Sequence, residues 1–331
     1  LVDPSIQGRP RQRDAGAALF FLLRASPSQE FFMPYLTMRD GGRVFVRIMG
    51  QGKPVVLLHG FAMHSAHWLP FIWPYSRTHR FIMPDFRGFG RSHRTRFNQE
   101  CVLTNYSQDV TDIVRDLGLD EFTLGGISMG AYTCMHHLGR HPDAPVEKCL
   151  LIDQSPQAMN DADWPHGLFG PDQEARLEPV RRLLAEARTF GPEVGFGDAP
   201  KAFRRKVGRV MGQFVATALY RPYQKTLARL AFGVEPLAVR ILPADNWRAY
   251  MAIIEAYLSQ DYDMRPHVPG FSPPITVMAA VSSEMYPCQG QFYISDHAPS
   301  ARLVRFHKSG HAIPFNEPVK FARELGRFLG S

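Results

Sequence analysis

Gly126-Ile127-Ser128-Met129-Gly130 is the stretch on which the reading of this chain turns. It has the form G-x-S-x-G, a sharp turn that lifts a serine hydroxyl above the end of a strand. Both flanks agree. Glu121-Phe122-Thr123-Leu124 has the composition of a short strand, and Ala131 to Leu138 that of a helix. So tight a turn leaves no room for side chains beside the serine, which explains glycine on either side. Ser128 is therefore the candidate nucleophile.

Outward from this turn, apolar runs alternate with helical stretches. Lys53 to Leu58 is a buried-strand run ending in His59-Gly60-Phe61. Phe81 to Asp85 is another, followed by Arg87-Gly88-Phe89-Gly90-Arg91-Ser92. Thr104 to Leu117 places Tyr106, Val110, Ile113, Val114 and Leu117 at helical spacing. Glu147 to Ile152 and Pro274 to Ala280 are further strands. Tyr35 to Asp40 and Arg43 to Arg47 alternate around Gly41-Gly42 as an opening hairpin. Strands alternating with helices predict a mostly parallel sheet covered on both faces. From about 155 to 245 the strand pattern stops. Glu178–Phe190 and Ala202–Leu219 are amphipathic there, which predicts helices inserted between two core strands, running into a helix at Trp247–Ser259.

With Ser309-Gly310-His311 near the end, these motifs resemble the α/β-hydrolase fold family in its esterase, haloperoxidase-like and C–C hydrolase branch. The match covers about residues 35 to 160 and 270 to 331, with His-Gly, D-x-R-G-x-G-x-S, G-x-S-x-G and Gly-His in the family's order. It implies four segments: an N-terminal arm at 1–34, core at 35–155, a helical cap at 156–245, and core again at 246–331. It also implies His311 as the base for Ser128, and backbone N–H groups of Phe61 and Met129 as the oxyanion hole. No metal or organic cofactor is required.

The acid that orients the histidine has two candidates. The family usually takes it from the loop after the strand at 274–280. There Ser283 occupies the aspartate's place, with Glu284 one residue later. A second location is the end of the strand after the nucleophile helix, where Asp153 closes an apolar run. A buried carboxylate needs a partner, and a histidine would provide it, so Asp153 is favoured over Glu284. Asp85 is expected to brace the following loop, and His59 its own turn. His64 and His67 could line a pocket, although H-x-x-H without the glutamate is no zinc motif. Trp164, Phe169, Phe190 and Trp247 suggest an apolar acyl or aromatic site.

The expected activity is hydrolysis of carboxylic esters through an acyl-enzyme. Lactone hydrolysis, perhydrolysis, C–C hydrolysis or silent ligand binding are alternatives on the same residues. The expected partner is a small ester or lactone. The chain has 331 residues and net charge +7, with twelve Lys or Arg against six Asp or Glu in residues 171–230. A basic solvated cap face explains this better than nucleic-acid binding, for which no motif is present. No apolar stretch is long enough to span a bilayer. Residues 16–23 follow three arginines but show no cleavage site. They fit an arm packing on the body or on a second subunit, so a homodimer is an expectation. Cys101, Cys134, Cys149 and Cys288 have no metal or redox spacing. Cys134 and Cys149 are expected as core thiols, and a reduced cytoplasmic setting is favoured.

Overall fold

The computed structural model describes residues 31–98, 101–191, 193–233, 246–259 and 262–330. Most of the expected arm at 1–34 therefore lies outside the described residues, as do 234–245 of the expected cap. Among the described residues nine strands form one sheet, in the spatial order β1-β3-β5-β4-β6-β7-β8-β9, with β2 paired to β3. These are β1 (Phe31–Phe32), β2 (Tyr35–Thr37), β3 (Arg43–Met49), β4 (Lys53–Leu58), β5 (His79–Pro84), β6 (Phe122–Ile127), β7 (Val146–Ile152), β8 (Ile275–Ala280) and β9 (Ala301–Phe306). The opening strands are antiparallel, with Thr37 opposite Arg43 across the expected hairpin. From β4 onward neighbouring strands run parallel.

The long helices are α1 (Val102–Asp116), α2 (Met129–Arg140), α3 (Gln173–Ala187), α4 (Lys201–Ala218), α5 (Pro222–Gly233), α6 (Trp247–Ser259), α7 (Cys288–His297) and α8 (Pro318–Gly330). Alternation along the strands sorts the core onto two faces. Val56 and Leu58 pack with Tyr106 and Val110 of α1 and with Tyr132 and Met135 of α2. Val55 and Leu57 point the other way, toward Phe321, Leu325 and Phe328 of α8. Helices α3 to α6 come between β7 and β8. Several of their charges are paired on the surface, as in Arg181–Glu174, Arg182–Glu178 and Lys206–Glu186. Such exposed pairs contribute little to stability. Cys134 and Cys149 are buried and free. Among the described residues no helix is long and apolar enough to cross a membrane. No group of three or more His, Cys, Asp or Glu there is arranged for a metal.

Three buried histidines make stability depend on pH. Burial pushes His59, His136 and His137 down to about 4. A folded-state value below the usual 6.5 means that the unfolded chain binds more protons in that window. Their contribution is present above about pH 6.5 and is lost as pH falls toward 4. Urea midpoints measured from pH 7 to 5 should fall, and His137→Gln should flatten that slope. A flat wild-type profile would refute the assignment.

Candidate active site

The turn after β6 explains the two glycines of the motif. A Cβ on Gly126 would stand 2.3 Å from the Gly130 carbonyl carbon, and one on Gly130 would stand 2.3 Å from the Leu58 oxygen. Both obstacles are backbone and cannot swing aside. Gly126→Ala should therefore destabilise the fold by about 3 kcal/mol, read as a lowered denaturant midpoint. A stability like that of wild type would mean that the turn is looser than described. Ser128 adopts φ 54° and ψ −124°, and its side chain makes no capping bond to α2. The hydroxyl is free for another partner. Met129 is the first residue of α2, where an N–H has no acceptor within the helix.

Sheet register brings Asp153 close to Ser128. Ile127 of β6 pairs with Ile152 of β7, so Ser128 and Asp153 leave adjacent parallel strands one step later. The Ser128 N–H donates to the Ile152 oxygen at 2.9 Å, and the Asp153 N–H to the Met278 oxygen at 2.9 Å. Asp153 has no solvent exposure. Its Oδ1 accepts the Ala280 N–H at 2.9 Å, and its Oδ2 accepts the Ser283 hydroxyl at 2.9 Å. The same Oδ2 stands 2.7 Å from His311 Nδ1. This bond selects the tautomer that leaves Nε2 of neutral His311 as the acceptor. Glu284, the alternative acid, is instead held in ion pairs with Lys225 of α5 and, at 3.7 Å, Arg176 of α3.

The loop carrying His311 is clamped from two sides. Asn316 Oδ1 accepts the Gly310 N–H at 3.0 Å, and the carbonyl of Ala218, the last residue of α4, accepts the Ala312 N–H at 2.9 Å. The Tyr286 ring lies 5.8 Å from that of His311 and lines the same cavity as Ser128. Among the described residues no hydrogen bond joins Ser128 Oγ to His311. Such bonds are commonly open in ligand-free sites and tighten with substrate.

The turn after β4 is fixed by His59. Its Nε2 accepts the Phe86 N–H at 2.9 Å, and Nδ1 lies 2.8 Å from the Gly60 oxygen. One ring nitrogen accepts and the other donates, which is the neutral imidazole. Asp85 braces neighbouring loops as expected, accepting the Ser65 and Arg91 N–H groups at 2.7 Å each. Phe61 follows this turn. Among the described residues neither the Phe61 nor the Met129 N–H donates to a backbone carbonyl. Among the described residues four non-glycine residues have positive φ: Ala62, Ser128, Asp153 and Phe169. Three of them are Ser128, Asp153 and the residue after Phe61, so backbone strain is concentrated here.

A cavity of about 90 Å³ opens at Ser128. Its wall includes Phe61, Phe169, Phe214, Met251 and Met285, and among the described residues it contains no charged side chain. Of the four aromatic residues expected at the site, only Phe169 reaches this wall. Trp164 packs on His166 and Tyr293, and Phe190 on Phe203 and Trp247. His64 and His67 are not in the wall either. Their rings pack together at 4.1 Å. Leu168, Leu177, Val180 and Leu183 do line the cavity; of these only Val180 and Leu183 lie in the stretch whose spacing predicts a helix, and none carried a sequence signal for the site.

A sheet of this order, with a serine turn after β6, an aspartate after β7 and a histidine after β9, defines a class of hydrolase-fold proteins. The chain belongs to the α/β-hydrolase fold family, whose model matches residues 53–318. It is 24% identical over 280 residues to a pimeloyl-[acyl-carrier protein] methyl ester esterase of Nitrosomonas europaea, covering 84% of this chain and 96% of that one. It is 30% identical over 170 residues to a non-heme haloperoxidase of Rhodococcus erythropolis, covering 50% of this chain and 61% of that protein. Among solved structures it resembles an esterase from Exiguobacterium antarcticum, with TM-score 0.68, 20% identity, and coverage of 91% and 100%. It also resembles a 2-hydroxy-6-oxo-6-phenylhexa-2,4-dienoate hydrolase from Rhodococcus sp. strain RHA1, with TM-score 0.67, 16% identity, and coverage of 92% and 100%. At these identities the structures share the fold.

Proposed function

We propose that this protein is a serine hydrolase that cleaves carboxylic esters of apolar acids, with Ser128, His311 and Asp153 as its triad. The observation that carries this reading is the 2.7 Å contact between Asp153 and His311 beside the strained turn at Ser128. His311 takes the Ser128 proton as the hydroxyl attacks the ester carbonyl, and the N–H groups of Phe61 and Met129 stabilise the oxyanion. Asp153 holds the imidazole and offsets its charge. His311 then protonates the leaving alcohol, and a water deprotonated by His311 releases the acid. The described part of residues 156–233 serves as the cap over the site. The names of the esterase relatives support the reaction class.

A fluorophosphonate probe tests this directly. One adduct should form, map to Ser128, and be absent in Ser128→Ala. Labelling elsewhere, or none, would sink the proposal. The cavity also favours esters over C–C bond hydrolysis of a dienoate. A carboxylate buried among the wall residues would have no cation to pair with, and that is costly. Esters whose acyl group ends in a carboxylate should react at least about a hundredfold more slowly than neutral ones of equal length. Equal kcat/KM would refute the charge argument.

Ser283 supports Asp153 without touching the histidine. Ser283→Ala should cost roughly tenfold in kcat, since a hydrogen bond to a carboxylate contributes about 1.5 kcal/mol. KM should stay the same. A change in KM with unaltered kcat would place Ser283 in substrate binding instead.

A further inference from the structure

The cavity at Ser128 ends against Met211, Met251 and Ile254, and the same three side chains form one wall of a second cavity. This second space is about 20 Å³ and lies between α4 and α6. Val207, Phe196 and Trp247 bound it on the far side. The Trp247 indole N–H is already taken by the Val194 oxygen at 3.3 Å, so the ring offers the cavity no free donor. Among the described residues no charged side chain lines either space. A partition built largely of methionine is soft, because the side chain is unbranched and has three rotatable bonds.

We propose that the two cavities are one acyl channel, with Met211 and Met251 as a movable partition, and that the substrates are esters of long straight-chain acids whose tail reaches Trp247. This rests on the esterase reading and adds the substrate class to it. The polar side chains along the route are Ser128, Tyr250, Tyr257 and Tyr286, and the rest of the described lining is apolar. Each methylene buried there should tighten binding about fourfold. A second compartment adds to that gain only for chains long enough to pass the partition. Short esters should turn over with the Ser128 cavity alone.

Two measurements test the channel. The first is kcat/KM for p-nitrophenyl dodecanoate relative to butyrate. Val207→Phe, which fills the far compartment, should lower this ratio by about tenfold or more, chiefly through KM for dodecanoate. A ratio unchanged within about twofold, in a variant whose melting temperature matches wild type, overturns the proposal. The second needs no turnover. In Ser128→Ala, ω-bromododecanol should quench tryptophan emission through the heavy atom at its tail, and ω-bromobutanol should not. Adding Trp247→Phe should remove the quenched component. Equal quenching by both alcohols, or quenching that survives the loss of Trp247, overturns the channel. Failure of wild type to hydrolyse any ester, with chain-length-dependent quenching intact, would instead overturn the esterase reading and leave the channel standing.

Discussion

Ser128→Ala should lower kcat on a chromogenic ester by about 10⁴-fold or more, with little change in melting temperature. The size follows from the place of the hydroxyl. Ser128 holds φ 54°, a conformation unfavourable for a side-chain-bearing residue, and its hydroxyl makes no helix cap. No structural contact is lost when that oxygen is removed, so stability should be kept. The strained turn remains, and alanine tolerates it about as well as serine. Ester binding should also persist, because the cavity wall is unchanged. Pre-steady-state mixing separates the possibilities. Wild type should show a burst of released alcohol, while the variant should show none at equal substrate occupancy. A variant retaining a tenth of wild-type kcat would remove Ser128 from the chemistry.

Asp153→Asn should lower kcat by roughly 10⁴-fold, and Glu284→Gln by less than about twofold. Asp153 Oδ2 receives two groups, His311 Nδ1 and the Ser283 hydroxyl, while Oδ1 receives the Ala280 N–H. An amide cannot accept at every one of these positions. Its NH2 must face a donor or force His311 into the wrong tautomer. Some stability should go as well, on the order of 1–3 kcal/mol, because the site is fully buried. Activity must therefore be measured well below the variant's melting temperature. Glu284 is partly exposed and bound to Lys225 and Arg176, so its loss affects only these two ion pairs. Moving the acid gives a sharper test. In Asp153→Ser with Ser283→Asp the two side chains exchange places across a 2.9 Å contact. Activity well above that of Asp153→Asn would establish that the carboxylate's position near His311 matters, not the strand that carries it. Equal loss in Glu284→Gln and Asp153→Asn would refute the assignment.

The sequence made some of this site legible and left the rest hidden. Ser128 was readable because the turn is local. Its two glycines, the strand before it and the helix after it all lie within about twenty consecutive residues. His59 and Asp85 were readable for the same reason, since both brace turns next to themselves in the chain. The acid was ambiguous because the choice depends on which strand tips are neighbours. Only the spatial order β6-β7-β8 puts Asp153 between Ser128 and the loop of Ser283. The cavity wall was the least legible part. A helix shows in its spacing which residues are apolar, but not which partner that face meets. Trp164 and Phe190 thus pack elsewhere, while Leu177 and Val180 of α3, unremarkable in sequence, line the cavity.

The chain leaves the sheet at the end of β7 and returns at β8, its immediate parallel neighbour, with Cys149 opposite Ile275 and Ile152 opposite Met278. For an engineer this makes the intervening helices an exchangeable module, because the sheet's hydrogen bonding closes without them. Most of the described wall of the Ser128 cavity belongs to that module, whereas Ser128, Asp153 and His311 stand on the scaffold. A graft would have to keep one structural tie, the Ala218 carbonyl that holds Ala312 beside His311. Libraries that keep that corner and vary the faces of α3, α4 and α6 would alter what is admitted without redesigning what reacts.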